Sequence, residues 1–179
     1  MSLMFGSVVA YLAQHLPVYY AVSQTILVIS AGLLFYVALT DLNSYKVRNE
    51  FVALLTLLFF VHALISGRWV LLPWNLALAA AGFACLSYIY TLRVLGGGDV
   101  KLLTVALLWT GKDAALTFSI LLLAFGTIHF LAVKFKFARP TSPDGPVKIP
   151  YAPSIAAALI GTFVLGYLSP LMATAAGPL

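Results

Sequence analysis

Five carboxylates are all that this 179-residue chain carries: Asp41, Glu50, Asp99, Asp113 and Asp144. Two of them stand apart by what surrounds them. Asp99 follows three glycines in RVLGGGDVKLL (93–103), with Lys101 two residues on, and Asp41 closes a long apolar run in VALTDLNSYKVRNE (37–50). Two carboxylates that share a site do not both ionise readily, so one is charged while the other holds a proton. The charged one can take a proton from water as that water attacks a peptide carbonyl. The protonated one can hydrogen-bond the carbonyl and then protonate the leaving nitrogen. Such chemistry needs no metal, no cofactor and no nucleophilic side chain. Gly96, Gly97 and Gly98 can adopt backbone angles closed to other residues and leave room beside Asp99 for an extended peptide backbone. Taken singly, each residue has a plainer role. Asp99 could cap a helix, Asp41 could be an interfacial charge at a helix C-terminus that disfavours it, and the glycines could be a flexible loop.

The elements that must position these residues follow from composition. The chain is 63% hydrophobic and 8% charged, with a mean hydropathy of +1.05. A soluble domain carries roughly 25% charged residues, so this is the composition of an integral membrane protein. Only helices and closed barrels satisfy their backbone in lipid. Long continuous apolar runs, rather than the alternation of barrel strands, select an all-α, polytopic protein. Spans are expected at about 22–40, 51–67, 70–92, 100–110, 114–134 and 152–169. The fourth, at about 1.5 Å per residue, is only roughly 16 Å long. It must be sheltered by its neighbours or extended by the glycines. The chain thus reads as a single membrane-embedded domain over 1–179, with a six-helix core at 22–170. Residues 1–20, interrupted by Gln14, His15 and Pro17 and lacking a basic start, read as an interfacial or partly inserted segment rather than a signal peptide.

The basic residues orient this array. Lys46, Arg48, Arg93, Lys101, Lys134, Lys136, Arg139 and Lys148 fall on one side, and Arg68 and Lys112 on the other. The positive-inside rule puts the eight in the cytoplasm. Asp41 and Asp99 then lie at one depth on the cytoplasmic side, an orientation that follows from Lys and Arg alone. The net charge of +5 is accounted for by those loops and does not call for nucleic acid. The single cysteine, Cys85, sits in an apolar run. It excludes an intrachain disulfide and any Cys-rich zinc site, and reads as a small packed residue.

Gly96-Gly97-Gly98-Asp99 matches a GxGD motif. Followed by Val100 and Lys101, paired with Asp41 and joined by KIPYAPSIAAALIG (148–161), it closely resembles the type IV prepilin peptidases, intramembrane aspartic proteases of bacteria. The resemblance covers about residues 22–170, and the chain is most similar to the short CpaA/TadV branch associated with tight-adherence (Flp) pili. The resemblance implies that Asp41 and Asp99 form the catalytic pair. It also implies a prepilin or pseudopilin substrate with a basic leader, a location in the bacterial inner membrane with the site facing the cytoplasm, and pilus assembly machinery as a further partner. Longer relatives carry paired cysteines in an extra region and also methylate the trimmed pilin. With neither feature present, peptidase activity without methyl transfer is expected. One departure is Arg48, which stands where the family commonly has proline.

Around the pair, Lys101 could act on a nearby carboxylate or meet an acidic residue of the pilin, or simply snorkel to the interface. Asn49 reads as a helix cap and a possible cleft residue. Pro150 and Tyr151, with Pro153, could wall the cleft or merely start a rigid helix. Glu50 suits a first helical turn. His62 and His129 lie mid-span and read as packed, hydrogen-bonded residues. Asp113 reads as a cap in an outer loop, Asp144 as a turn residue, and Trp69, Trp74 and Trp109 as interfacial belt aromatics. Three rivals remain: a proton- or ion-coupled transporter, a catalytically silent membrane subunit of a pilus or secretion machine, and an archaeal preflagellin peptidase with the same chemistry.

Overall fold

A computed structural model describes residues 2–44, 47–66, 71–93, 95–135 and 150–175, with side chains for 18–43, 47–66, 71–93, 95–132, 134–135 and 150–166. Lys46, Arg68, Trp69, Lys136, Arg139, Asp144 and Lys148 lie outside the described residues, as do most of the 139–150 loop and the side chains of Gln14, His15 and Pro17. The described chain forms five helices: α1 (Ser2–Ser44), α2 (Asn49–Ile65), α3 (Leu72–Thr91), α4 (Gly97–Lys134) and α5 (Ala152–Ala175). The fold is all-α. Three stretches are long and apolar enough to cross a bilayer, Val18–Asn43, Leu72–Thr91 and Gly97–Ala132; Asn49–Ile65 and Ala152–Gly166 are shorter apolar helices.

Two boundaries differ from the sequence reading. No break separates residues 2–20 from the first expected span, because α1 is helical throughout. Nor is there an outer loop between the expected fourth and fifth spans. One residue, Gly111, leaves helical geometry at φ 52 and ψ −164, and the helix resumes at once. Only glycine reaches that φ without strain. The Asn75 side chain fills the space where a Gly111 Cβ would stand, and its Nδ2 donates to the Leu108 carbonyl at 3.1 Å. That carbonyl belongs to the last turn before the break, where the helix ladder leaves acceptors unsatisfied. Asp113 therefore sits in resumed helix beside exposed Lys112, 4.0 Å away, and caps no loop.

The helices pack α4 on α3 and α5, α5 on α1, α1 on α2, and α2 on α4. Their shared core joins Leu34 and Val37 of α1, Leu55 of α2, Leu102 and Phe118 of α4, and Ile155 and Leu159 of α5. Ala152, Ala156 and Ala158 are also buried there, and small residues let helices approach closely. Elsewhere, large apolar side chains such as Val28, Leu64, Leu116 and Leu123 point outward, as they do in a protein surrounded by lipid. Cys85 is exposed rather than packed. Trp74 is exposed, but Trp109 is no belt residue. Its Nε1 donates to the Leu55 carbonyl at 3.1 Å, and its ring lies against Phe59, His62 and Phe163. An indole turned inward needs such an acceptor.

Candidate active site

Asp41 occupies the last turn of α1, and Asp99 the first turn of α4. The two helix ends meet. Asp41 and Asp99 line one cleft of about 480 Å³, together with Val47, Arg48, Asn49, Glu50 and all three glycines. Residues 58 positions apart in sequence thus share one chamber, and the carboxylates lie close enough to interact electrostatically.

Their supports differ. A carboxylate in the final turn of a helix faces the negative end of that helix's dipole. Asp41, only 5% exposed, is compensated from outside α1. The backbone N–H of Ala152 donates to its Oδ2 at 3.3 Å. Ala152 is the first residue of α5, so this amide is one of the donors a helix start leaves free. Asp99 needs no such import, since it stands in the first turn of its own helix, where negative charge is favoured. The Gly96 amide lies against its carboxylate.

The glycines work differently from the sequence reading. Among the described residues, the only positive-φ glycine is Gly111, so Gly96, Gly97 and Gly98 adopt no unusual angles. Gly97 and Gly98 are helical from the start of α4. What matters is space. A Cβ on Gly96 would lie 2.9 Å from Asp99 Oδ2, and one on Gly98 would lie 3.0 Å from the Val47 Cβ, whereas one on Gly97 would meet only the Tyr90 ring, at 3.6 Å.

The rim holds the remaining candidates. Asn49 makes no cap; α2 begins after Arg48, with no side-chain cap bond. The Asn49 Oδ1 instead accepts from Lys101 Nζ at 2.8 Å, tying α2 to α4 beside the cleft. Glu50 stands in the first turn of α2, as expected, and pairs with Arg48 at the exposed mouth. Pro150 and Tyr151 do not line the cleft. Tyr151 is exposed and its carbonyl accepts from Ile155 N–H, so the segment reaches the site through the Ala152 amide instead. That contact left no trace in the sequence because a backbone amide has no residue type; the only clue was the proline pair framing the helix start. His129 is hydrogen-bonded, with Nδ1 3.1 Å from Ser154 Oγ. Among the described residues no three His, Cys, Asp or Glu side chains cluster to hold a metal ion.

A chamber with two adjacent carboxylates, a cleared backbone on one side and an open polar mouth can bind an extended peptide and a water together. Comparison with known proteins agrees with that chemistry. Residues 27–131, more than half of the chain, match the type IV leader peptidase family, a span that contains both aspartates and all three glycines. No curated protein and no solved structure matches the chain.

Proposed function

The chain belongs to the type IV leader peptidase family of aspartic-type prepilin peptidases, and we propose that Asp41 and Asp99 are the dyad with which it removes the leader from Flp-type prepilins. Members of this family are inner-membrane enzymes acting on prepilins. The observation that carries the assignment is that Asp41 and Asp99 line one cleft and lie close enough to interact electrostatically, whereas Glu50, the third carboxylate of that cleft, is exposed and paired with Arg48.

In this mechanism one carboxylate is ionised and accepts a proton from water as the water oxygen bonds to the scissile carbonyl carbon. The other, protonated, donates a hydrogen bond to the carbonyl oxygen. Collapse of the tetrahedral intermediate breaks the C–N bond, and the nitrogen leaves with a proton from the dyad. The cleared face over Gly96 and Gly98 admits the substrate backbone. The site faces the cytoplasm under the positive-inside rule. The break at Gly111 supports counting α4 as two of six spans, the first of them the short one. With Cys85 as its single cysteine, the chain resembles the CpaA/TadV branch and transfers no methyl group.

The test is co-expression with a candidate Flp-type prepilin in a host lacking its own peptidase, with leader removal read from the pilin mass. Wild type cleaves, while Asp41→Asn and Asp99→Asn do not. Unchanged cleavage in either variant would remove the dyad. Failure of well-expressed wild type on several prepilins would favour a silent subunit of the pilus machine.

A further inference from the structure

The first turn of α5 is gripped from two sides. Its first residue, Ala152, gives its N–H to Asp41 of α1 at 3.3 Å. Two residues on, Ser154 Oγ lies 3.1 Å from Nδ1 of His129, in the second half of α4. Pro153 between them has no N–H to offer. Both Ala152 and Ser154 are buried, so neither bond competes with water.

His129 has no packing reason to be polar. Its sequence neighbours Ile128 and Phe130 are exposed apolar residues, and an ionisable side chain within an apolar span is costly unless it turns inward to a partner. His129 does turn inward, and its partner is a serine in the helical turn that supplies the Asp41 donor. Among the described residues, the Ala152 amide is the one hydrogen-bond donor reaching the Asp41 carboxylate. The direction of that amide follows the rotation and height of the first turn of α5, and the His129–Ser154 bond ties that turn to α4 beside the apolar packing of Ile155 and Ala156. Beside the direct electrostatic interaction of the two side chains, His129 thus reaches Asp41 through two hydrogen bonds joined by one helical turn.

We propose that His129, acting through Ser154, is a positioning residue that holds the Ala152 amide on Asp41 and so sets how Asp41 faces Asp99. The inference rests on the dyad reading above for its catalytic consequence, but not for its structural one.

The experiment uses the full-length protein in lipid, as wild type, His129→Leu, His129→Asn and Ser154→Ala. Leucine keeps an apolar volume without the bond, whereas the asparagine amide can occupy the Nδ1 position. Amide hydrogen exchange over the start of α5 is read by mass spectrometry, and prepilin cleavage by kcat and KM. In His129→Leu and Ser154→Ala, exchange at the start of α5 speeds up and kcat falls about tenfold with KM unchanged. His129→Asn restores both. Wild-type exchange and kcat in His129→Leu and Ser154→Ala overturn the proposal, as does an asparagine variant that is no better than leucine. If wild type cleaves no prepilin, the peptidase reading fails, while the exchange rates and their rescue by asparagine still decide the positioning role.

Discussion

Gly96 approaches Asp99 so closely that a methyl group in place of one glycine hydrogen would stand 2.9 Å from the carboxylate Oδ2. Three glycines in a row are therefore not equivalent, and their substitutions separate clearance from flexibility. Gly96→Ala displaces the Asp99 carboxylate, and a small misplacement of a reacting group lowers cleavage by about 10- to 100-fold. Gly98→Ala presses on Val47 and costs about 1 kcal/mol of stability. Gly97→Ala meets only ordinary contact with Tyr90 and sits in a helix, where alanine exceeds glycine by about 1 kcal/mol. It should remain active and be at least as stable. Leader cleavage and thermal unfolding of the three variants check this order; equal losses at all three positions would instead mean that the loop's mobility matters.

Arg48 departs from the proline common in the family, yet its backbone is already suited to proline. Its φ is −73 and its ψ 136, close to the φ that the pyrrolidine ring imposes. Arg48→Pro breaks an exposed ion pair with Glu50, worth about 0–1 kcal/mol. It gains about 0.4–1 kcal/mol by restricting the unfolded chain. The variant should therefore fold normally and keep its cleavage activity, as measured by thermal unfolding and pilin mass. A large loss of either would mean that the guanidinium has a role at the cleft mouth beyond its pairing.

The break in α4 rests on Gly111 and Asn75. Asn75→Ala leaves the Leu108 carbonyl without its side-chain donor and lowers stability by about 1 kcal/mol or more. Gly111→Ala combines a positive φ with a clash against Asn75, and should cost about 1–3 kcal/mol. The double variant Asn75→Ala with Gly111→Ala relieves the clash but not the φ, so its loss should be smaller than the sum of the two. A double-mutant cycle on unfolding in detergent measures the coupling directly.

Trp109 joins α4 to α2. Trp109→Phe keeps much of the packing on Phe59 and Phe163 but loses the bond to the Leu55 carbonyl, for about 1 kcal/mol. Trp109→Ala also opens a cavity and costs about 3–5 kcal/mol. Similar melting of the two variants would show that the hydrogen bond, not the ring, carries the contact.

The GxGD stretch, the solitary Asp41 and the run of apolar segments were all legible in the sequence, because each is local. Apolar length states that a segment belongs in lipid, and glycine beside aspartate states that space is needed there. The sequence did not show which face of each helix turns inward. Helices surrounded by lipid are apolar all round and carry no amphipathic stripe to mark one, so neither the inward turn of Trp109 nor the exposure of Cys85 is legible in the sequence. Nor did it show the contacts that hold the cleft. Ala152 on Asp41, Lys101 on Asn49 and Asn75 on Leu108 join residues 111, 52 and 33 positions apart. One of these is a backbone amide and another a backbone carbonyl, groups that every residue type shares. Such pairings exist only once the helices have packed, and in a membrane that packing is set by close fit and interhelical hydrogen bonds rather than by burial from water. Composition and spacing therefore determined the membrane class and singled out the two aspartates, while tertiary structure alone decided what holds Asp41 in place.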